Sequence, residues 1–246
     1  MLIKSLLTFT IILLSSISYS ADKVVNLTSL DWPPYSSKSL TEQGASVAVA
    51  KAAFKAMGYD LKVTFFPWSR AVALAKDSSS EYSGYFPEYF SEDTAKDFIY
   101  SDAMGSGPLG FAERKDKPIN WSILDDLKAY KIGVVQDYIN TTEFDAMVAS
   151  KALKTSTTTS DTKNLLKLVN GRLDLAVIDE NVMKYLFKTD KALAKKVSNA
   201  QFNATLLEDK KLFICFKKTS QGEELAKIYN EGLKKIDIPS IMGKYL

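Results

Sequence analysis

The decisive stretch reads SDTKNLLKLVNGRLDLAVIDENV, residues 160–182. Ser160 stands where a helix N-cap is wanted, because a serine oxygen accepts a hydrogen bond from the free amides of a first turn. Leu165, Leu166 and Val169 then recur at helical spacing, and Gly171 follows as a C-terminal stop. Leu173 to Ile178 is a near-continuous apolar run, the kind of strand that is buried on both faces of a parallel sheet. Asp179 closes that strand and opens a further helix through Glu180-Asn181-Val182. The stretch is a helix–strand–helix unit of an α/β protein.

The same alternation runs outward in both directions. Val24 to Leu30 is a short strand, and Ala45 to Met57 is a helix with Val47, Ala50, Phe54 and Met57 on one face and Gly58 after it. Leu61 to Phe66 is a strand, and Trp68 to Ala75 a short helix behind Pro67. Lys131 to Val135 and Leu212 to Phe216 are further strands. Ser220-Gln221-Gly222-Glu223 reads as a capping box that opens a helix over residues 223–235. Repeated units of this kind predict parallel sheets flanked by helices.

Composition excludes several classes of function. The chain has 246 residues, one cysteine and no histidine, so no internal disulfide, no Ser-His-Asp or Cys-His catalysis and no histidine-ligated metal is available. Its 32 basic and 29 acidic residues leave a net charge of +3, without the concentrated basic face that nucleic acid needs. Cys215, between Ile214 and Phe216, reads as a buried packing residue. No catalytic group, cofactor or metal is expected. At the start, Lys4, the apolar run from Leu6 to Ile17 and Ser18-Tyr19-Ser20 before Ala21 have the pattern of a secretory signal peptide. Residues 1–20 are therefore expected to be removed near Ser20–Ala21, which places the protein in the periplasm.

Six pieces in order carry a resemblance. They are Asp31-Trp32-Pro33-Pro34-Tyr35, the Gly44-led helix, Phe66-Pro67-Trp68-Ser69-Arg70-Ala71, and Ile99-Tyr100-Ser101-Asp102. Leu124 to Lys128 with Lys131 to Val135, and Gly171 to Ala176 with Asp179, complete the set. In this order the chain resembles the extracellular solute-binding proteins of family 3, the polar-amino-acid branch of the type II periplasmic-binding-protein fold. The resemblance implies two α/β lobes with a ligand cleft between them. It divides the chain into residues 22–108 plus 208–246 for one lobe and 109–207 for the other. Gly105-Ser106-Gly107-Pro108 would be the first crossing, with glycines free to absorb the rotation of closure.

Ligands in open α/β sheets bind outside the carboxyl ends of strands. That rule and the resemblance together nominate seven residues. Trp32, Tyr35 and Trp68 would be aromatic walls, which desolvate a ligand and hold a cation on the ring face; each also fits a plain core or rim position. Asp179 would hold an ammonium, or serve as a helix N-cap, or both. Glu88, in Tyr85-Phe86-Pro87-Glu88-Tyr89, would be a second acid among rings, or an exposed loop residue. Tyr138 would line the cleft from the second lobe. Arg70 would bind an anionic group or brace its own lobe. The family's amino-acid binders carry an arginine before the serine matched by Ser101, and Thr94 stands at that position. Lys96 nearby lacks the planar fork of a guanidinium. Arg114 is expected to be solvated.

The expected function is capture of a small amine-bearing polar solute by lobe closure and its delivery to a membrane permease of an ABC importer. A sensory membrane receptor is the alternative partner. An exported dehydratase or lyase on the same fold, with Glu88 and Asp179 as acid and base, is the enzymatic alternative. A monomer is expected, with no nucleic acid partner.

Overall fold

A computed structural model describes residues 23–246. The signal peptide expected at residues 1–20 and its cleavage site lie outside the described residues. In chain order the first elements are β1 (Val24–Ser29), α1 (Ala45–Ala56), β2 (Asp60–Phe65), α2 (Trp68–Lys76), β3 (Gly84–Glu88), α3 (Glu92–Asp97) and β4 (Phe98–Tyr100). The long strand β5 (Gly105–Arg114) leads to β6 (Lys131–Val135), α4 (Thr142–Ala149), β7 (Lys154–Thr158), α5 (Asp161–Val169), β8 (Leu175–Asp179) and α6 (Glu180–Thr189). After α7 (Lys191–Ala194) and β9 (Ala200–Phe202), the chain returns through β10 (Glu208–Lys217), α8 (Ser220–Leu233) and α9 (Ile238–Met242).

One half is built on β1, which pairs in parallel with β2 and β3. The other is built on β6, parallel to β7 and β8. Both halves carry the expected parallel strands, and the connection between them is antiparallel. The sheet order is β2-β1-β3-β10-β5-β8-β6-β7, with β4 on β10 and β9 on β5, and both β5 and β10 run antiparallel to their neighbours. The reason lies in the path of the chain. β5 leaves the first half and β10 returns to it, so the two pair head to tail along Gly105–Leu109 and Glu208–Leu212. The crossing at residues 105–108 is therefore ladder, not a free turn.

Local sequence explains most element ends. Ser160 accepts a hydrogen bond from Lys163 N and starts α5, and Gly171 takes φ 69° just beyond it, a left-handed conformation that glycine adopts without a Cβ penalty. The last long helix begins earlier than the capping-box reading predicts. Thr219, not Ser220, is its N-cap and accepts from Gly222 N at 3.2 Å. Threonine and serine stand side by side there, and both can serve.

The core of the first half lies between its sheet and α1. Phe54 is fully buried, 5.1 Å from Tyr229 of α8 and 6.4 Å from Phe216 of β10 between ring centres. Burial of one such ring is worth about 1.5–3 kcal/mol. In the second half, Leu165 and Leu168 of α5 are fully buried together with Leu175 and Ala176 of β8. Cys215 is buried and free.

Candidate functional site

The site lies where β1, β3 and α2 of one half face β6, α5 and α6 of the other. A tight turn after β1 sets its first wall. Tyr35 N and Ser36 N both donate to Trp32 O at 3.1 Å, and Ser36 Oγ donates to Leu30 O at 2.9 Å. This folds Trp32 and Tyr35 onto each other, with ring centres 4.6 Å apart and planes 22° from parallel.

The two rings do different things. Trp32 lines cavities on its exposed side. Tyr35 is completely buried beneath it and belongs to neither cavity lining. Its hydroxyl donates to Asp179 Oδ2 at 3.0 Å and accepts from Asn181 Nδ2 at 2.9 Å, so it ties the two halves together.

Asp179 combines two tasks. Its Oδ1 accepts from Asn181 N at 2.8 Å and Val182 N at 3.1 Å, which caps α6. Its Oδ2 takes the Tyr35 bond. Burial nevertheless outweighs these donors and raises its pKa to about 7. Gly107 of β5 permits this contact. A Cβ there would lie 2.0 Å from Asp179 Oδ2 and 2.3 Å from the Tyr35 hydroxyl, so the crossing strand needs glycine here for close approach.

Two cavities with shared walls lie beside this contact. The smaller cavity, of about 30 Å³, is walled by Trp32, Trp68, Tyr89, Tyr138 and Ile139, and Glu88 is the only charged residue in its lining. The larger cavity, of about 470 Å³, shares Trp32, Trp68 and Tyr138 and adds Gln136, Ser160 and Asp161. The shared rings form a waist between the two. Trp68 meets Tyr138 edge to face at 6.1 Å, and Trp32 meets Tyr89 in the same way at 6.0 Å.

Glu88 ends β3 and is buried rather than loop-exposed. It accepts from Tyr85 Oη at 3.0 Å and from Tyr89 N at 2.8 Å. Desolvation still raises its pKa to about 8, against the pull of those donors and of Lys210. Asp161 begins α5, is 6 % exposed, and has its pKa raised to about 7 by burial and by Asp179, with Trp32 opposing. Glu88 and Asp161 therefore line the cavities while Asp179, like Tyr35, lines neither, and all three are buried carboxyls costly to ionise without a cation. The Tyr89 hydroxyl is buried and has no hydrogen-bond partner among the described residues. Burial first, then the nearby Asp179 and Asp161, push its pKa well up.

A clasp joins α2 to the segment after β6. Trp68 Nε1 donates to Asp137 O at 3.0 Å, and Ser69 Oγ donates to the Asp137 carboxylate. Asp137 has φ 61°, which turns its backbone toward α2.

Six of the seven nominated residues converge here: Trp32, Tyr35, Trp68, Glu88, Tyr138 and Asp179. Arg70 does not. It is exposed on α2, lies 5.2 Å over the Phe66 ring, and lines neither cavity. Arg114 bonds Asp116 at 3.0 Å on a different face. Sequence reasoning missed Asp161, Tyr89 and Asn181. Asp161 follows β7, whose Lys-Thr-Ser-Thr-Thr sequence gives no apolar signal, so its carboxyl end was not recognised as a ligand-facing position.

Among the described residues no helix is long and apolar enough to cross a membrane. No family model matches the chain, and no curated protein matches it significantly. Solved structures do. A histidine kinase sensor domain with similarity to periplasmic binding proteins superposes with TM-score 0.76 at 19% identity, over 92% of this chain and 96% of that one. An ancestral arginine-binding protein bound to arginine gives 0.72 at 18%, over 91% and 98%. The GluR0 ligand-binding core from Nostoc punctiforme, in complex with L-glutamate, gives 0.72 at 13%, over 90% and 99%. The fold is that of the two-lobed periplasmic binding proteins.

Proposed function

We propose that the chain is a periplasmic solute-binding protein of the family 3 type. It captures a small amine-bearing polar solute by lobe closure and hands it to the membrane permease of an ABC importer. One observation carries the reading. Glu88 and Asp161 line aromatic-walled cavities at the junction of two lobes, Asp179 lies buried behind the Trp32–Tyr35 turn, and burial raises all three pKa values above the ordinary carboxylate range. A cationic solute supplies the missing countercharge, and ring faces add attraction to it. The lobes are residues 22–108 plus 208–246 and 109–207 in this reading. The pairing of Gly105–Leu109 with Glu208–Leu212 supports that division.

Closure follows from differential contact: a solute touching both halves favours the state in which both reach it. The Trp68–Asp137 and Tyr35–Asp179 bonds belong to that closed state. The role is binding, not catalysis. The acids face rings and backbone amides, and similar structures include binding proteins and a sensor domain. That sensor domain also favours a second reading, in which the partner is a sensory receptor rather than a permease.

The test is thermal unfolding of the purified protein with amino acids, amines and organic acids. A ligand that binds only the folded state raises the melting point. Amines are expected to raise it, and less so in Asp161→Asn. A response confined to organic acids would overturn the amine reading.

A further inference from the structure

The two cavities set a narrower condition on the solute. They share the walls Trp32, Trp68 and Tyr138, and each holds its own buried acid: Glu88 in the smaller, Asp161 in the larger. Tyr138 lies within the electrostatic reach of both acids. The only basic residue in either lining is Lys38, exposed at the outer rim. A carboxylate on the solute would thus sit beside buried acids, with only Lys38 in the linings to pair with it. The smaller cavity, of about 30 Å³, has room for an ammonium-sized group, since a water needs about 10–15 Å³. The Tyr89 hydroxyl, buried and without a partner among the described residues, offers an oxygen to an N–H donor.

We propose that the solute is a linear α,ω-diamine, with one ammonium beside Glu88, the other beside Asp161, and the methylene spacer threaded through the Trp32–Trp68–Tyr138 waist. This rests on the amine reading of the site and names its substrate class. Lys210 is the rival feature. It is buried, lies 5.5 Å over the Tyr89 ring, and pairs with half-exposed Glu208 at 3.4 Å. A solute carboxylate would have to draw it away from both.

The experiment is isothermal titration of the purified protein with the diamines from 1,3-diaminopropane to 1,6-diaminohexane. Monoamines of matched length, L-lysine, L-arginine and dicarboxylic acids complete the series. Affinity is expected to peak at one diamine length. That diamine should exceed its matched monoamine by about 10-fold or more, the worth of a second charge-assisted contact. In Glu88→Gln and in Asp161→Asn the advantage should shrink to about threefold or less, as expected when one such contact is lost. The wild-type series decides even where a variant fails to fold. If lysine, arginine or a monoamine binds as tightly as the best diamine, the diamine proposal falls while the amine reading stands. If only acids bind, or nothing in the series does, both fall.

Discussion

The phenolic oxygen of Tyr35 and Oδ2 of Asp179 are 3.0 Å apart, though 144 residues separate them in the chain. One belongs to the turn after β1 and the other to the end of β8, so a single hydrogen bond joins the carboxyl ends of strands in opposite halves. It also leaves the capping oxygen of Asp179 free for α6.

Tyr35→Phe deletes that bond and the one from Asn181. Buried partners are left unmatched, at a cost of about 1–3 kcal/mol. Urea denaturation of the ligand-free protein should show the loss as a lower midpoint at unchanged slope. An unchanged midpoint would mean that the two halves do not depend on the contact.

Acidity should stabilise the ligand-free protein. Glu88, Asp161 and Asp179 have folded-state pKa values of about 8, 7 and 7, above their unfolded values. The folded state then binds more protons than the unfolded state between roughly pH 4 and 8, so stability is full below that window and falls as pH rises through it. Each retained proton contributes a slope on the order of 1 kcal/mol per pH unit. Unfolding free energies measured from pH 5 to 8 should decline, and a bound amine should flatten the decline. Rising stability over that range would refute the buried-acid arrangement.

The waist should matter more than the nearest arginine. Trp68→Ala or Tyr138→Ala removes a ring shared by both cavities and should weaken amine binding by about 3- to 30-fold, the usual range for a cation on a ring face. Arg70→Ala, on the exposed face of α2, should leave affinity unchanged. Calorimetry on the three variants separates these outcomes.

Asp137→Gly keeps a backbone at ease with φ 61° and deletes only the carboxylate that Ser69 grips. Small-angle scattering should report a larger radius of gyration for the ligand-free variant, restored by saturating ligand. An identical radius would show that the clasp does not bias the equilibrium between open and closed forms.

The halves of the fold were legible because their strands and helices carry strong apolar periodicity. The unit from Ser160 to Val182 forms as its pattern predicts, with Leu165 and Leu175 fully buried. The connecting strands were not legible as ladder. Gly105-Ser106-Gly107-Pro108 looks like a turn by composition, and its pairing with residues 208–212 is set by tertiary path. At the site, aromatic residues after strands were readable from the rule on carboxyl ends. The aim of each was not: Trp32 and Tyr35 share one turn, yet one faces a cavity and the other is sealed beneath it. Asp161 escaped because polar β7 hides the strand that delivers it.

The head-to-tail pairing of β5 with β10 has a mechanical consequence. Two separate tethers would allow the halves to slide, splay and twist independently. A hydrogen-bonded ribbon resists sliding, so any relative movement reduces to flexing and torsion about one short segment. The cavities lie close to that pivot, and the outer rims lie far from it. A sub-ångström adjustment at the cavities is therefore geared up into a much larger sweep at the periphery, which is where, on the proposed function, a membrane partner would have the most to read.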